Sequence, residues 1–198
     1  MKKILYTQRV EIVKTYGERR DCADQRIPDF LFMCGYCPIP VPNLPKIILG
    51  IIERLSPDGF FFTGGNSLAV YGGEAPERDE TEQIITRWAI SYGIPIFGIC
   101  RGMQFLADYF GGEIGPINGH VGLRHNVTGS ISRESVNSFH EFALRELPQE
   151  LETLARAEDG SIEAFRHRTY PIMAVGWHPE RETSYVENDI QMVREVFG

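Results

Sequence analysis

No stretch of this chain is apolar for long enough to cross a membrane. "IILGII" is among the longest apolar runs, far short of the roughly 20 residues a spanning helix needs. The opening "MKKILYTQRV" is basic but runs into no apolar core segment, so it is not expected to be a signal peptide. Cysteine is scarce: four in 198 residues, with no dense framework, which points to free thiols in a reducing cytoplasm. Cys34 and Cys37 form a lone C-x-x-C with no second pair, so packing is the expectation there, and neither a metal nor a cofactor is expected. A surplus of positive charge is also missing. Twenty Lys and Arg face 27 Asp and Glu, a net charge of -7, which argues against nucleic acid or an anionic membrane as a general partner. There is no internal repeat, low-complexity tract or linker, so residues 1–198 are read as a single domain.

What the chain does contain is unevenly placed. Met1 to Arg26 carries seven basic residues against four acidic ones, a local positive field suited to a small anion. Short apolar strands then alternate with helix-length amphipathic segments. "KKILYT" reads as a strand, a helix is expected from about Arg20 to Cys34 with Pro28 kinking or delaying it, and "CPIPV" reads as a proline-rich edge strand. "LPKIILGIIERL" has helical spacing, "GFFFTGG" is a buried strand ending in glycines, and "DETEQIITRWAISYG" is a helix with acidic residues first and glycine last. "IPIFGIC" and "RGMQFLADYFGG" form one more strand–helix pair. After Gly112 the pattern turns to strands: "LRHNVTGSI", "SVNSFH", "LETLARAED", "SIEAFRH" and "YPIMAVGWH", with a closing helix near Tyr185–Phe197. The expected fold is an α/β three-layer sandwich, its central sheet mostly parallel, with an antiparallel β section added in the C-terminal half.

The chemistry concentrates at Gly98-Ile99-Cys100-Arg101-Gly102. This is the strand–turn–helix elbow G-x-[nucleophile]-x-G with cysteine at its apex. Small neighbours let the backbone strain and project the side chain. The following helix favours a thiolate, and the Arg101 amide offers an oxyanion donor. A thiolate nucleophile needs a base and something to orient it. Among His120, His125, His140, His167 and His178, the last ends an apolar strand, and Glu180 follows beyond a proline expected to keep the segment extended. Gly64 and Gly65, ending the "FFFTGG" strand, let backbone amides approach a substrate and supply the second oxyanion donor.

"FGICRGMQ", "FTGGN", "VNSFH" and "GWHPE" resemble the class I glutamine amidotransferase superfamily. "GGNSLAVYGGEAPERDETE" resembles its γ-glutamyl-γ-aminobutyrate hydrolase branch, including the Arg78-Asp79 pair. The resemblance implies that Cys100 attacks a γ-glutamyl amide carbonyl to give a thioester, His178 serves as acid and then base, and Glu180 orients it. It further implies an oxyanion hole of the Gly65 and Arg101 amides. Gly64 and Asn66 would flank the substrate, while Gln104, Val136, Asn137 and Ser138 would hold the glutamyl α-amino and α-carboxylate groups. His140-Glu141-Phe142 departs from the branch pattern after "VNSFH", and the chain is short between Gly112 and Val136. Both differences fall where the leaving group is recognised, which places His140 at that end.

The opening "TQRVEIVKTYGERRDCADQR" resembles small members of the branch encoded with surface-polysaccharide (capsule) enzymes, the γ-glutamyl-CDP-amidate hydrolase type among them. In that setting Arg9, Arg19 and Arg20 would pair with pyrophosphate oxygens; the alternative is that Arg19, Arg20 and Arg26 balance neighbouring acids on a solvated helix. The implied partner is a small γ-glutamyl substrate. The other activities weighed are γ-glutamyl-γ-aminobutyrate or polyamine hydrolysis, and a glutaminase subunit that supplies ammonia to a synthetase.

Overall fold

A computed structural model describes all residues, 1–198. The chain runs β1 (Lys3–Tyr6), β2 (Arg9–Val13), β3 (Glu18–Cys22), α1 (Arg26–Met33), β4 (Cys37–Pro40), α2 (Pro45–Leu55) and β5 (Gly59–Phe62). It continues through α3 (Pro76–Tyr92), β6 (Ile96–Ile99), α4 (Arg101–Tyr109), β7 (Glu113–Pro116), β8 (Val121–Gly129) and β9 (Arg133–Phe139). β10 (Phe142–Glu146), β11 (Leu151–Ala157), β12 (Ile162–His167), β13 (Ile172–Val175) and α5 (Glu187–Phe197) complete it. No helix is long and apolar enough to cross a membrane.

One eleven-stranded sheet dominates, in the order β4-β1-β5-β6-β13-β12-β11-β8-β9, with β10 pairing β12 and β7. The pairs from β4 to β13 are parallel, and every pair from β12 onward is antiparallel. This is the α/β architecture expected, a parallel core with an antiparallel C-terminal extension. The period-2 geometry of the strands splits the core into two layers. Ile4, Phe61 and Phe97 face α1 and α5 with Phe30, Leu31, Val193 and Phe197. Leu5, Phe60, Phe62 and Ile96 face α2, α3 and α4 with Ile48, Ile52, Ile85 and Leu106. Each such side chain, fully buried, contributes about 1.5–3 kcal/mol, which is why β5 and β6 need no polar face at all.

β4 sits at the sheet edge, as its prolines predict. Cys37 N donates to Lys2 O at 2.8 Å and Val41 N to Tyr6 O at 3.1 Å, so alternation turns Pro38 and Pro40 outward.

The helix expected over Arg20–Cys34 is corrected. Arg20 lies on a hairpin strand, and α1 begins only at Arg26. "RVEIV" alternates apolar with charged residues, Gly17 takes a positive φ of 69° at the turn, and Glu11 pairs across from Arg20. Strand pairing therefore wins over helix. Pro28 is tolerated because it lies in the first turn of α1, where an amide has no intrahelical acceptor. β7 is not evident from sequence, since four residues offer only two per face. β10, with its Phe-Ala-Leu-Arg-Glu pattern, is likewise not evident. All four cysteines are free. Cys34 is buried, which pushes its thiol up to about 12, the state of a packing cysteine rather than a reactive one.

Candidate active site

Cys100 stands between the end of β6 and the start of α4 with φ 49° and ψ -107°, a conformation that an L-residue adopts only under strain. The flanking glycines are there for space. A Cβ on Gly102 would lie 2.3 Å from Phe62 O, and one on Gly98 would lie 2.8 Å from Leu106 Cδ1. β5, β6 and α4 are thereby drawn close enough for the elbow to form.

His178 follows β13, the parallel neighbour of β6, so both side chains emerge at the same end of the sheet. They converge over Gly64. A Cβ built there would lie 2.6 Å from His178 Cε1 and 3.5 Å from Cys100 Cβ, so only glycine leaves room for the pair. His178 Nδ1 donates to Glu180 Oε1 at 2.6 Å, with both residues buried. Pro179–Arg181 is a 3-10 turn and not the extended segment expected; the turn brings Glu180 back beneath the imidazole.

Burial pushes the Cys100 thiol up, but the neighbouring His178 and His140 more than offset it and hold the thiol below its ordinary value. Burial also lowers His178, yet the Cys100 and Glu180 charges carry it up to about 10. Both shifts run in the same sense, favouring the thiolate on Cys100 and the proton on His178. Iodoacetamide alkylation of Cys100 is accordingly expected to persist well below the pH at which a free thiol loses reactivity. In His178→Ala the larger of the two compensating charges is lost, and the alkylation profile is expected to move to higher pH. Superimposable profiles for the two proteins would contradict the ion pair.

Behind the glycine turn lies a buried charge network. Arg78 is wholly buried and donates to Thr63 O at 2.7 Å, Gly64 O at 3.1 Å and Gly65 O, while its Nε meets Glu82 Oε1 at 3.2 Å. The Arg101 guanidinium pairs with Glu82 and Asp79. Asp79 in turn accepts from Ala69 N at 2.7 Å. Three consecutive carbonyls are thus held on the Arg78 side of the turn. α4 begins at Arg101, and first-turn amides of a helix have no intrahelical acceptor.

Several residues expected to touch substrate are committed elsewhere. Asn137 donates to His178 O at 2.8 Å and accepts from His178 N at 2.9 Å, so its amide clamps the histidine backbone. Ser138 Oγ donates to His120 O at 2.6 Å, and Val136 is buried in the core. Asn66 makes the same two-point clamp on Val10, accepting from N at 2.8 Å and donating to O at 3.0 Å. Its effect is to fix the β2–β3 hairpin to the glycine turn, and Asp21 adds a second anchor through the Asn43 side chain at 2.7 Å. Gln104 Nε2 donates to Phe142 O at 2.7 Å, and Gln104 lines a cavity with Cys100, Arg101, Gly65, Asn66, Phe139 and His140. His140 donates from Nδ1 to Phe142 O at 3.0 Å, with Nε2 turned to the buried Glu163, and the carboxylate carries this histidine above its ordinary pKa although burial opposes the shift.

The three arginines part company. Arg9 lies over Gly65, where a Cβ would meet Arg9 Cδ at 2.9 Å, and it lines a cleft with Gly64, His178 and Glu180. Arg19 instead donates to Glu77 at 2.7 Å and Glu74 O at 2.8 Å, facing a separate cleft that contains neither Cys100 nor His178. Arg20 pairs with Glu18 at 2.7 Å on the exposed hairpin face. Arg26 lies at the start of α1 and is not on a shared helix with Arg19 and Arg20.

The model of the family described as "Glutamine amidotransferase class-I" matches residues 40–196. The chain belongs to the class-I glutamine amidotransferase family. Among amidotransferase-family relatives, the γ-glutamyl-CDP-amidate hydrolase of Campylobacter jejuni is 34% identical, covering 97% of this chain and 96% of that one. A glutamine-hydrolysing GMP synthase subunit of Pyrococcus abyssi is 33% identical over 80% of this chain and 84% of its own. A Thermoplasma acidophilum crystal structure, described provisionally as a GMP synthase subunit, superposes with a TM-score of 0.76 at 22% identity. It covers 100% of this chain and 93% of that one, a likeness of fold. The β2–β3 hairpin carrying Arg9 lies before the residues matched to the amidotransferase model.

Proposed function

We propose that this chain is a cysteine-dependent hydrolase of γ-glutamyl amides. The observation that carries the reading is the strained Cys100 elbow meeting the buried His178–Glu180 pair over Gly64. The Cys100 thiolate attacks the γ-carbonyl carbon, and the amides of Gly65 and Arg101 receive the oxyanion. The carbon–nitrogen bond then breaks as His178 gives its proton to the departing nitrogen, leaving a thioester. Water attacks the thioester, His178 takes its proton, and glutamate leaves with the thiolate restored. Glu180 keeps the imidazole oriented and its charge compensated throughout. Gln104, whose amide nitrogen is held by Phe142, leaves its carbonyl oxygen to accept from a glutamyl α-ammonium.

For the leaving group we infer a nucleotide-linked amidate, γ-glutamyl-CDP-amidate giving CDP-amidate, of use in modifying a surface polysaccharide such as capsule. Two things support this: identity of 34% to such a hydrolase along 97% of the chain, and an arginine, Arg9, whose stem lies on the glycine turn, which lines the cleft with His178 and whose guanidinium is paired with Glu11, on a hairpin outside the general family match. The second reading is a glutaminase subunit that passes ammonia to a synthetase, supported by the match to GMP synthase subunits.

A panel of γ-glutamyl-CDP-amidate, γ-glutamyl-γ-aminobutyrate, a γ-glutamyl polyamine and glutamine tests both. Purified protein alone is expected to release glutamate, fastest from the nucleotide. If it cleaves none of these alone but cleaves glutamine once a synthetase is added, the second reading holds and the first fails. Arg9→Ala is expected to lower kcat/KM for the nucleotide on the order of 10-fold, the worth of one charge-assisted hydrogen bond, and to spare the γ-aminobutyrate amide. Arg20→Ala should change neither. Equal losses on both substrates in Arg9→Ala would remove the hairpin from leaving-group recognition.

A further inference from the structure

Beside the Cys100 cavity, four side chains from distant parts of the sequence converge on one buried point. His120 precedes β8, His125 lies on β8, His140 follows β9 and Glu163 lies on β12. One ligand atom from each falls within 4.8 Å of every other. Glu163 Oε1 is 3.3 Å from His140 Nε2, 3.6 Å from His120 Nδ1 and 4.0 Å from His125 Nε2. None of these contacts forms a hydrogen bond: those three nitrogens and both Glu163 oxygens are buried without a partner. Glu163 is 1% exposed, His120 6% and His140 7%, so bulk water cannot make good the deficit.

The opposite nitrogen of each ring explains the arrangement. His120 Nε2 meets Asp159 Oδ2 at 3.0 Å, His140 Nδ1 meets Phe142 O at 3.0 Å, and His125 Nδ1 meets Asn126 O at 3.3 Å. Each of these is an acceptor oxygen, so each ring places its N–H there and turns a lone pair inward. With the rings neutral, three lone pairs and a carboxylate face one another, an arrangement that repels itself unless a cation lies between them; without a metal ion, a proton on His140 Nε2 is what meets Glu163 there. An outer carboxylate or carbonyl holding the far nitrogen is also how proteins orient metal-binding histidines. Gly176 completes the cradle: a Cβ there would lie 2.1 Å from Glu163 Oε2, so glycine makes the space for the carboxylate.

We propose that His120, His125, His140 and Glu163 form a binding site for one divalent transition-metal ion, with zinc the best match. Three imidazoles and a carboxylate form a borderline N3O set, suited to zinc and not to calcium or magnesium. Tetrahedral bonds of about 2.0–2.1 Å put ligand atoms roughly 3.4 Å apart, which small side-chain rotations reach from the present spacing. The ion closes its four protein ligands and ties β8, β9 and β12 together where His140 walls the Cys100 cavity, so its work is structural. The C-x-x-C pair, the more obvious metal signal in the sequence, takes no part. This inference does not depend on which amide the protein hydrolyses.

The test uses the full chain, stripped by a chelator and dialysed, then titrated separately with Zn2+ and Co2+. Metal content, the Co2+ visible spectrum and thermal unfolding are the readouts. One equivalent is expected to bind, to give the absorption of four-coordinate Co2+ with nitrogen and oxygen ligands, and to raise the unfolding temperature. His125→Ala, the most accessible ligand and the safest to remove, is expected to weaken binding at least 10-fold. Glu163→Gln should do the same, while Cys100→Ser and Cys37→Ser should bind like wild type. Folded wild-type protein that takes up neither ion overturns the proposal, as does binding that survives His125→Ala and Glu163→Gln or is lost in either cysteine variant.

Discussion

Cys100→Ala is expected to lower glutamate release from a γ-glutamyl amide on the order of 10^4- to 10^6-fold, the loss found when a covalent nucleophile is removed and only binding and oxyanion donors remain. The fold should survive. Alanine is smaller than cysteine, forfeits only the sulfur's contact with His178, and meets the same backbone strain at φ 49°. Near-wild-type unfolding together with the kinetic collapse would therefore isolate chemistry from stability. The experiment reads initial rates of glutamate formation alongside a thermal melt. Activity within about 10-fold of wild type would move the nucleophile elsewhere. Cys22, which lines the cleft with Arg9 and His178, is the thiol to examine next.

The second large effect is on stability. In Glu82→Ala the Arg78 and Arg101 guanidiniums lose their shared carboxylate inside a network where Arg78 and Glu82 are fully buried. Breaking one member of a buried ion network typically costs about 3–5 kcal/mol because the remaining charge is left uncompensated. For a chain of this size that is a fall of roughly 6–20 °C in Tm. The consequence should reach the site, since Arg78 holds the carbonyls of Thr63, Gly64 and Gly65. Under conditions where the variant is still folded, kcat should drop more than KM rises, because a misaligned turn costs most in the transition state. A melt within about 2 °C of wild type, well short of that fall, would show that this network is not a support of the fold.

The elbow is legible in the sequence because strand, turn and helix are continuous in the chain and each glycine has a local steric reason. The parallel core is legible for a related cause: "GFFF" and "IFGI" are buried on both faces, and such runs fit a covered sheet. What stays hidden depends on contacts between distant segments. Asn66 and Asn137 look like substrate residues in a linear motif, yet each uses its amide as a surrogate peptide group on Val10 or His178. The buried role of Arg78 requires knowing that α3 packs behind the glycine turn. Its hint in the sequence is the i, i+4 spacing to Glu82. The hairpin reads as helix because charged Glu18–Asp21 carries no apolar period of its own and takes its conformation from pairing with β2. The three histidines and Glu163 span residues 120 to 163 with no recurring spacing, so only the fold gathers them.

The prolines of β4 bear on how this protein behaves in a crowded solution. An uncovered strand at a sheet margin invites another chain to continue the ladder, the first step toward aggregation. Here the outward positions are Pro38 and Pro40, which present carbonyls but have no N–H to offer. An incoming strand would find half of its hydrogen bonds missing along the whole face. The margin of the parallel core is thus closed to recruitment by backbone chemistry alone, without a covering helix or a row of charges.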